Sequence, residues 1–306
     1  MLMNRKKALV TKTPKDYKLL WMAMPFIVIV FLFSYVPIFG WIYSFFDYVP
    51  GVSIFNCDFV GLDYFKLIFR DDNILRSLKN TFIFAIINIC LTPLPMFMAI
   101  LLNELWNGPI KIFTQTFTTL PNFISWVIIF SLATALFASD GIVTGLATAM
   151  GLGDASNSLL GSNEAVYWFQ SFLLQWKTLG WNSIIYMAAI SGIDQELYEA
   201  AKVDGANRFQ LIRSITIPCL LPTYFVMLML SIANFLSNGM DQYYVFQNAF
   251  NKTTIQVLDL YVYNIGMTGK SMSLATAIGI MKSAVSVALL FTVNTISKKV
   301  RGESII

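Results

Sequence analysis

Residues 194–218, DQELYEAAKVDGANRFQLIRSITIP, concentrate the residues of this 306-residue chain whose types and spacing could do work, and the work is docking rather than bond-making. Asp194 can cap a helix whose first turns hold Glu196 and Glu199, carboxylates that suit the positive end of a helix dipole. Leu197, Ala200, Ala201 and Val203 add small apolar contacts. Gly205 permits a break, and a second helical stretch, Asn207 to Arg213, leads to Pro218. The expectation is an elbow of two short helices, more than a join between neighbouring helices needs. Ala200, Ala201 and Gly205 would let a partner approach closely, while Glu199, Asp204 and Arg208 lie at the rim, with Glu199 and Arg208 offering charged hydrogen bonds.

A second set of polar residues lies inside apolar runs. Ser231, Asn234 and Asn238 share one face if the segment is helical. Amides and hydroxyls of this kind suit a hydroxyl-rich ligand, with aromatic rings to cover its C–H faces, and Trp181, Asn182, Tyr243 and Tyr244 are candidates to join them. The same Ser and Asn types also serve helix-to-helix hydrogen bonding in membranes, at about 0.6 kcal/mol on average, and both readings stand. Lys177 and Lys282 interrupt otherwise uncharged runs, where a lysine costs about 2.5–3.5 kcal/mol on insertion scales and needs a partner or water. They are expected to face a translocation cavity, to pair with Asp241 or a neighbouring subunit, or to make a plainer snorkelling or interhelical contact.

Chemistry of other kinds has no residues to carry it. The chain has no His, which removes imidazole metal sites and His-based triads, and its three cysteines form an odd set that supports no disulfide framework. It lacks the G-x-x-x-x-G-K-[ST] loop that cradles ATP phosphates. The expectation is a chain that is not an enzyme, with no cofactor or metal of its own. Neither a proton-relay carrier nor a nucleic-acid partner is supported, since most basic residues sit beside apolar runs, where positive charge fixes orientation.

The elements that must position these residues are membrane helices. Only 12% of residues are charged, against about 25% in soluble domains, while 57% are hydrophobic and 26 are Phe; mean hydropathy is +0.65. Six runs are long enough to cross a bilayer core, which takes about 20 apolar residues: Leu19 to Phe46, Asn80 to Asn103, Ile112 to Ser139, Ala165 to Ile193, Ser214 to Met240 and Ser271 to Ser297. The first run is too long for a signal-peptide core and is expected to stay as an anchor. Prolines 25, 37, 93, 95 and 121 are expected to kink helices without themselves marking a site.

With six spans both termini share a side. The tail 1–18, the second and fourth loops and the end 298–306 hold thirteen Lys and Arg; the opposite loops hold six. The positive-inside rule then puts both termini and loop 194–218 of a multi-pass membrane protein on the cytoplasmic side. Of the outer loops, Leu62 to Phe69 is apolar enough to lie at the interface, and Asp140 to Ser162 is rich in Gly, Ser and Asn.

The motif Glu199-Ala200-Ala201, Gly205 after three residues, then nine residues to Ile215-x-Ile217-Pro218, resembles the EAA loop of ABC importer permeases. That family's pattern ends Ile-x-Leu-Pro; Ile217 is a conservative departure. The likeness extends through Trp176-Lys177-x-x-Gly180-Trp181-Asn182, Ile185-Tyr186-x-Ala188-Ala189, Gly192-Ile193 and Asp204-Gly205-Ala206, and to Ile280-Met281-Lys282-Ser283 and Asn294 in the last run. These residues are similar to carbohydrate-uptake permeases of the oligosaccharide and polysaccharide subgroup. The resemblance implies an all-α type I importer fold with the permease domain at 19–297. It also implies a bacterial inner membrane, a second homologous permease, two ATPase subunits that bind ATP and Mg2+ and grip the elbow as a coupling helix, and an external substrate-binding protein. A membrane enzyme acting on lipid-linked glycans, or a channel or secondary carrier, would also suit an aromatic-rich membrane chain, but neither accounts for loop 194–218.

Overall fold

The computed structural model describes residues 14–105, 108–151, 160, 163, 165–269 and 271–301. The basic tail before Pro14, residues 152–159 of the Gly-, Ser- and Asn-rich loop and residues 302–306 lie outside the described residues. Described residues form helices and connections, with no strand beyond an isolated Phe46–Phe59 bridge.

Proline and capping residues explain where the helices start and stop. Helix α1 (Pro14–Val30) passes into a π turn, Phe31–Tyr35, and then a 3-10 segment, Val36–Phe45, with Pro37 near its start. Asp71 begins α2 (Asp72–Cys90) by accepting from the Asn73 and Ile74 N–H groups at 2.7 and 3.4 Å. The run then breaks at Leu91–Pro93, where a proline opens α3 (Leu94–Glu104). The expected span Ile112 to Ser139 is not one helix. Pro121 ends α4 (Pro109–Thr119) in a 3-10 turn, Leu120–Phe123, and Ser125 caps a new helix, α5 (Trp126–Phe137). The expected span Ser214 to Met240 is displaced: it begins earlier, at Arg208, and ends earlier, at Ala233.

Among the described residues, five helical runs are long and apolar enough to cross a membrane: Leu19–Phe45, Asp72–Glu104, Trp126–Ala149, Arg208–Ala233 and Met272–Lys299. The sequence suggested six. The difference is α6 (Val166–Ser191), which at 26 residues is long enough, roughly 39 Å, but whose Gln170, Gln175, Lys177 and Asn182 dilute its apolar character. Beyond it come α7 (Gln195–Val203), α8 (Ile217–Ala233), α9 (Asp241–Phe246), α10 (Leu258–Tyr263) and α11 (Met272–Arg301).

Three buried clusters join these helices. Phe84, Phe169, Tyr243, Phe246 and Leu260 pack where α2, α5, α6, α9 and α10 meet. Ile68, Ile74, Leu258, Leu274 and Ile278 form a second cluster, so the interfacial stretch Leu62 to Phe69 is the helix Asp63–Ile68 held by Ile68. There Tyr64 donates to Asp47 at 2.6 Å; burial, then that carboxylate, push its phenol up to about 12. Met96, Ile100, Tyr186, Ile190 and Leu220 bind α3 to α6 and α8. The most apolar stretch of the first run has no residue buried by the other described residues. Cys57, Cys90 and Cys219 are free.

Candidate functional site

The first arm of the 194–218 segment folds as its sequence suggests; the second is not a separate short helix but the start of the run Arg208–Ala233, entered directly from the turn at Gly205. Asp194 accepts from the Glu196 N–H at 3.0 Å to start α7. The helix closes with the Ala206 N–H bonding to Ala201 O at 2.9 Å and the Gly205 N–H to Lys202 O at 3.0 Å. This is a Schellman closure, and Gly205 has the positive φ, +81°, that it requires. A capping box follows. The Gln210 N–H donates to Asn207 Oδ1 at 2.9 Å and the Asn207 N–H to Gln210 Oε1 at 2.8 Å, launching the Arg208–Leu211 turn. A π turn, Ile212–Thr216, then joins α8. Tyr198 OH and Thr216 Oγ1, 2.9 Å apart, fasten α7 to that joint.

The elbow's outer surface is open. Glu199, Ala200, Asp204, Gly205 and Arg208 are exposed and Ala201 is half-buried. Val203 and Phe209 stand 88% and 70% exposed beside them, an apolar surface that no described residue covers.

The second feature is a cavity of about 350 Å3 between α2, α3, α6 and α8. Gln175, Thr178 and Asn182 line it from α6 at helical spacing, and Ser231, Asn234, Ser237 and Asn238 face them from α8 and the segment beyond. Asn88 and Thr92 enter at the break between α2 and α3, so the proline break exposes polar groups to the cavity. Asn88 Oδ1 is buried with no hydrogen-bond partner among the described residues. Every polar side chain on the lining is uncharged.

Ser231, Asn234 and Asn238 reach this cavity by a different route from the one their spacing suggested. Helix α8 ends at Ala233, Asn234 caps it by donating to Leu230 O at 3.0 Å, and the chain then runs non-helically to Gly239 at φ +75°. Asn238 donates to Thr81 O at 3.0 Å. The aromatic candidates do not join the lining. Tyr243 is 1% exposed, its ring 4.8 Å from that of Phe84, so it belongs to the packing behind the wall. Tyr244 is exposed and edge-on to Tyr263. Trp181 is exposed and meets Phe123 edge-on at 5.6 Å. Sequence reasoning missed Asn88, Thr92, Gln175, Thr178 and Ser237; the 175/178/182 spacing was a usable signal.

Both intramembrane lysines have partners within the chain, and neither is on the cavity lining. Lys177 donates to the carbonyls of Pro121 and Asn122, at 3.3 and 2.9 Å, and to that of Ile124, satisfying the helix break that Pro121 creates. Its ammonium also lies 5.4 Å from the Trp126 ring centroid. Gly180, one turn on, brings α6 so close to α4 that a Cβ there would lie 2.2 Å from Thr118 O. Lys282 pairs with Asp259, not with Asp241, which stands exposed at the start of α9. Asp259 is 23 residues from Lys282 and is brought beside it by the packing of α10 on α11.

Residues 91–302 match the family of binding-protein-dependent transport system inner membrane components. The chain belongs to that family. The permease is 35% identical to protein LplB of Bacillus subtilis over 296 residues, 95% of this chain and 92% of that one. It is 36% identical over 307 residues to the polygalacturonan/rhamnogalacturonan transport system permease protein YteP of the same species, 99% of this chain and 94% of that one. Its fold is similar to a chain of a bacterial ABC transporter involved in the import of the acidic polysaccharide alginate. The TM-score is 0.84 and the identity 30%, over 94% of this chain and 97% of the other. A structure of bacterial alginate ABC transporter in complex with alginate pentasaccharide-bound periplasmic protein gives 0.85 at 29%, over 95% and 97%.

Proposed function

We propose that this chain is the membrane-spanning permease subunit of an ATP-driven importer that passes an oligosaccharide handed over by an external binding protein. The single observation that carries the mechanism is the open elbow 194–211, joined on either side to the helices whose polar residues line the cavity. The relatives named for polygalacturonan, rhamnogalacturonan and alginate transport support a glycan as cargo. An uncharged lining of amides and hydroxyls, with the free Asn88 Oδ1 acceptor, offers hydrogen bonds to sugar hydroxyls.

In this reading the elbow is a coupling helix on the cytoplasmic side, as the distribution of Lys and Arg supports, and it seats in a cleft of a separate ATPase subunit. Val203 and Phe209 supply apolar contact, Ala200, Ala201 and Gly205 allow close approach, and Glu199, Asp204 and Arg208 form the polar rim. ATP and Mg2+ belong to that partner. A second permease completes the cavity, with residues 1–18 and 298–306 as cytoplasmic tails about a 19–297 membrane domain. Closure of the ATPases shifts the cavity between outward and inward access, which requires the elbow to make different contacts in the two states.

The test is reconstitution of the assembly in proteoliposomes. ATP hydrolysis should rise when the oligosaccharide-loaded binding protein is added, and sugar should accumulate inside. Accumulation by the permease alone, tracking an ion gradient without ATPase subunits, would refute the proposal.

A further inference from the structure

The cavity wall beyond α8 is not a helix, so something other than the backbone ladder must hold it. Residues 234–240 leave α8 at its Asn234 cap and turn at Gly239, where φ is +75°. Two anchors tie this segment to the helices behind it. The Asn238 side chain donates to Thr81 O at 3.0 Å, and Thr81 Oγ1 in turn accepts from the Leu258 N–H at 2.8 Å, linking the wall to α2 and the start of α10. One residue on, the Gly239 N–H donates to Asp259 Oδ2 at 3.1 Å. The other oxygen, Oδ1, accepts from Lys282 of α11.

The pair sits behind the wall, with side chains 21% and 19% exposed, and neither residue lines the cavity. A largely buried charge pair is a costly way to join two helices, since apolar residues of like volume often do so at equal or better stability. Its use here has a different explanation. A carboxylate offers two acceptor oxygens, and the lysine that neutralises it on one side leaves the second free for a backbone N–H that has no helical partner.

We infer that Asp259 and Lys282 are positioning residues that fix Gly239, and through it the Ser237 and Asn238 section of the cavity wall. Their relevance to transport rests on the proposed role of the cavity as the glycan path; their effect on the wall does not.

The test separates the acceptor from the charge. Two double variants remove both charges together, which avoids leaving one ion unpaired: Asp259→Asn with Lys282→Met keeps an oxygen for Gly239, and Asp259→Leu with Lys282→Met does not. Leu236, 2% exposed within the wall, becomes the reporter as Leu236→Cys, in a background where Cys57, Cys90 and Cys219 are serine. Maleimide–biotin labelling of the detergent-solubilised assembly is then timed. The Asn variant should label at the rate of the parent, and the Leu variant about tenfold faster, the scale of one lost hydrogen bond. If the Leu variant does not assemble, Asp259→Ala with Lys282→Met replaces it, since it equally lacks the acceptor. Equal labelling of the acceptor-free and Asn variants would overturn the inference. Faster labelling in both would overturn it too, by showing that the charge and not the acceptor holds the wall. Because labelling reads the wall whatever passes along it, failure of the glycan proposal would leave this result intact.

Discussion

Substituting alanine at Gly180 should loosen the joint that holds the broken span, and the distances give the size of the effect. A Cβ at 180 would lie 2.2 Å from Thr118 O, 2.4 Å from Thr118 C and 2.8 Å from Thr119 N, all backbone atoms of the neighbouring segment. Side-chain carbons do not approach backbone oxygen within 3.0 Å, so α4 and α6 must separate by about 0.8 Å or more. No side chain can rotate aside to absorb this. Overpacking of this kind costs about 1–3 kcal/mol, against which the better helix propensity of alanine returns only about 0.5–1 kcal/mol. The separation also draws Lys177, on the same helix, away from the Pro121, Asn122 and Ile124 carbonyls. The control is Gly279→Ala on α11, where nothing lies within 4 Å of the new carbon. Thermal denaturation of the purified assembly, followed by loss of the monodisperse peak on size exclusion, should show Gly180→Ala melting several degrees lower and Gly279→Ala unchanged or slightly higher. Equal melting of the two variants would refute the close approach of α6 to α4.

Lys177→Met should lower the yield of assembled protein more than Lys177→Arg. It leaves the carbonyls of the Pro121 break unsatisfied, each at about 1–3 kcal/mol, and size-exclusion recovery measures it. Gly205→Val should leave insertion intact but cut the sugar transported per ATP several-fold, because a β-branched residue at φ +81° loses about 1–2 kcal/mol in the Schellman closure; a normal ratio in proteoliposomes would contradict the coupling role of the elbow. Asn182→Leu combined with Asn234→Leu removes two cavity amides while sparing the Asn238–Thr81 anchor. Uptake should fall about tenfold or more with assembly unchanged, and unaltered uptake would remove this lining from the path.

Local chemistry was legible in the sequence and long-range pairing was not. The caps and turns of 194–211 depend on neighbours within a few residues, so Asp194 and Gly205 could be assigned before any fold was known. The apolar runs were equally plain, yet their interruptions depended on which prolines the surrounding helices could accommodate. Pro121 ends a helix because Lys177, more than fifty residues away, satisfies the freed carbonyls. Nothing local to Lys282 distinguishes Asp259 from Asp241 as its partner. Tyr243 shows the limit of residue type as a guide. Its ring suits a sugar face, but it sits between Phe84 and the rest of a buried cluster, and only packing decides that.

The arrangement of the two sites explains how a push on one could be felt at the other. The elbow is bracketed by α6 and α8, and these carry polar residues of the cavity lining, Gln175, Thr178 and Asn182 on one and Ser231 on the other, with Asn234 at the cap of α8. From Thr216 to Ser231 a helical rise of about 1.5 Å per residue spans roughly 22 Å, so a small tilt at the joint becomes a larger displacement at the wall. A π turn is a natural place for such a helix to yield, and here it lies at Ile212–Thr216, between the elbow and α8. The Tyr198–Thr216 hydrogen bond crosses that turn and ties α7 to its end, so the compliant joint is braced by the element that would receive the force. If the elbow couples as proposed, the Tyr198–Thr216 hydrogen bond across this π turn is the contact that would have to differ between the two states.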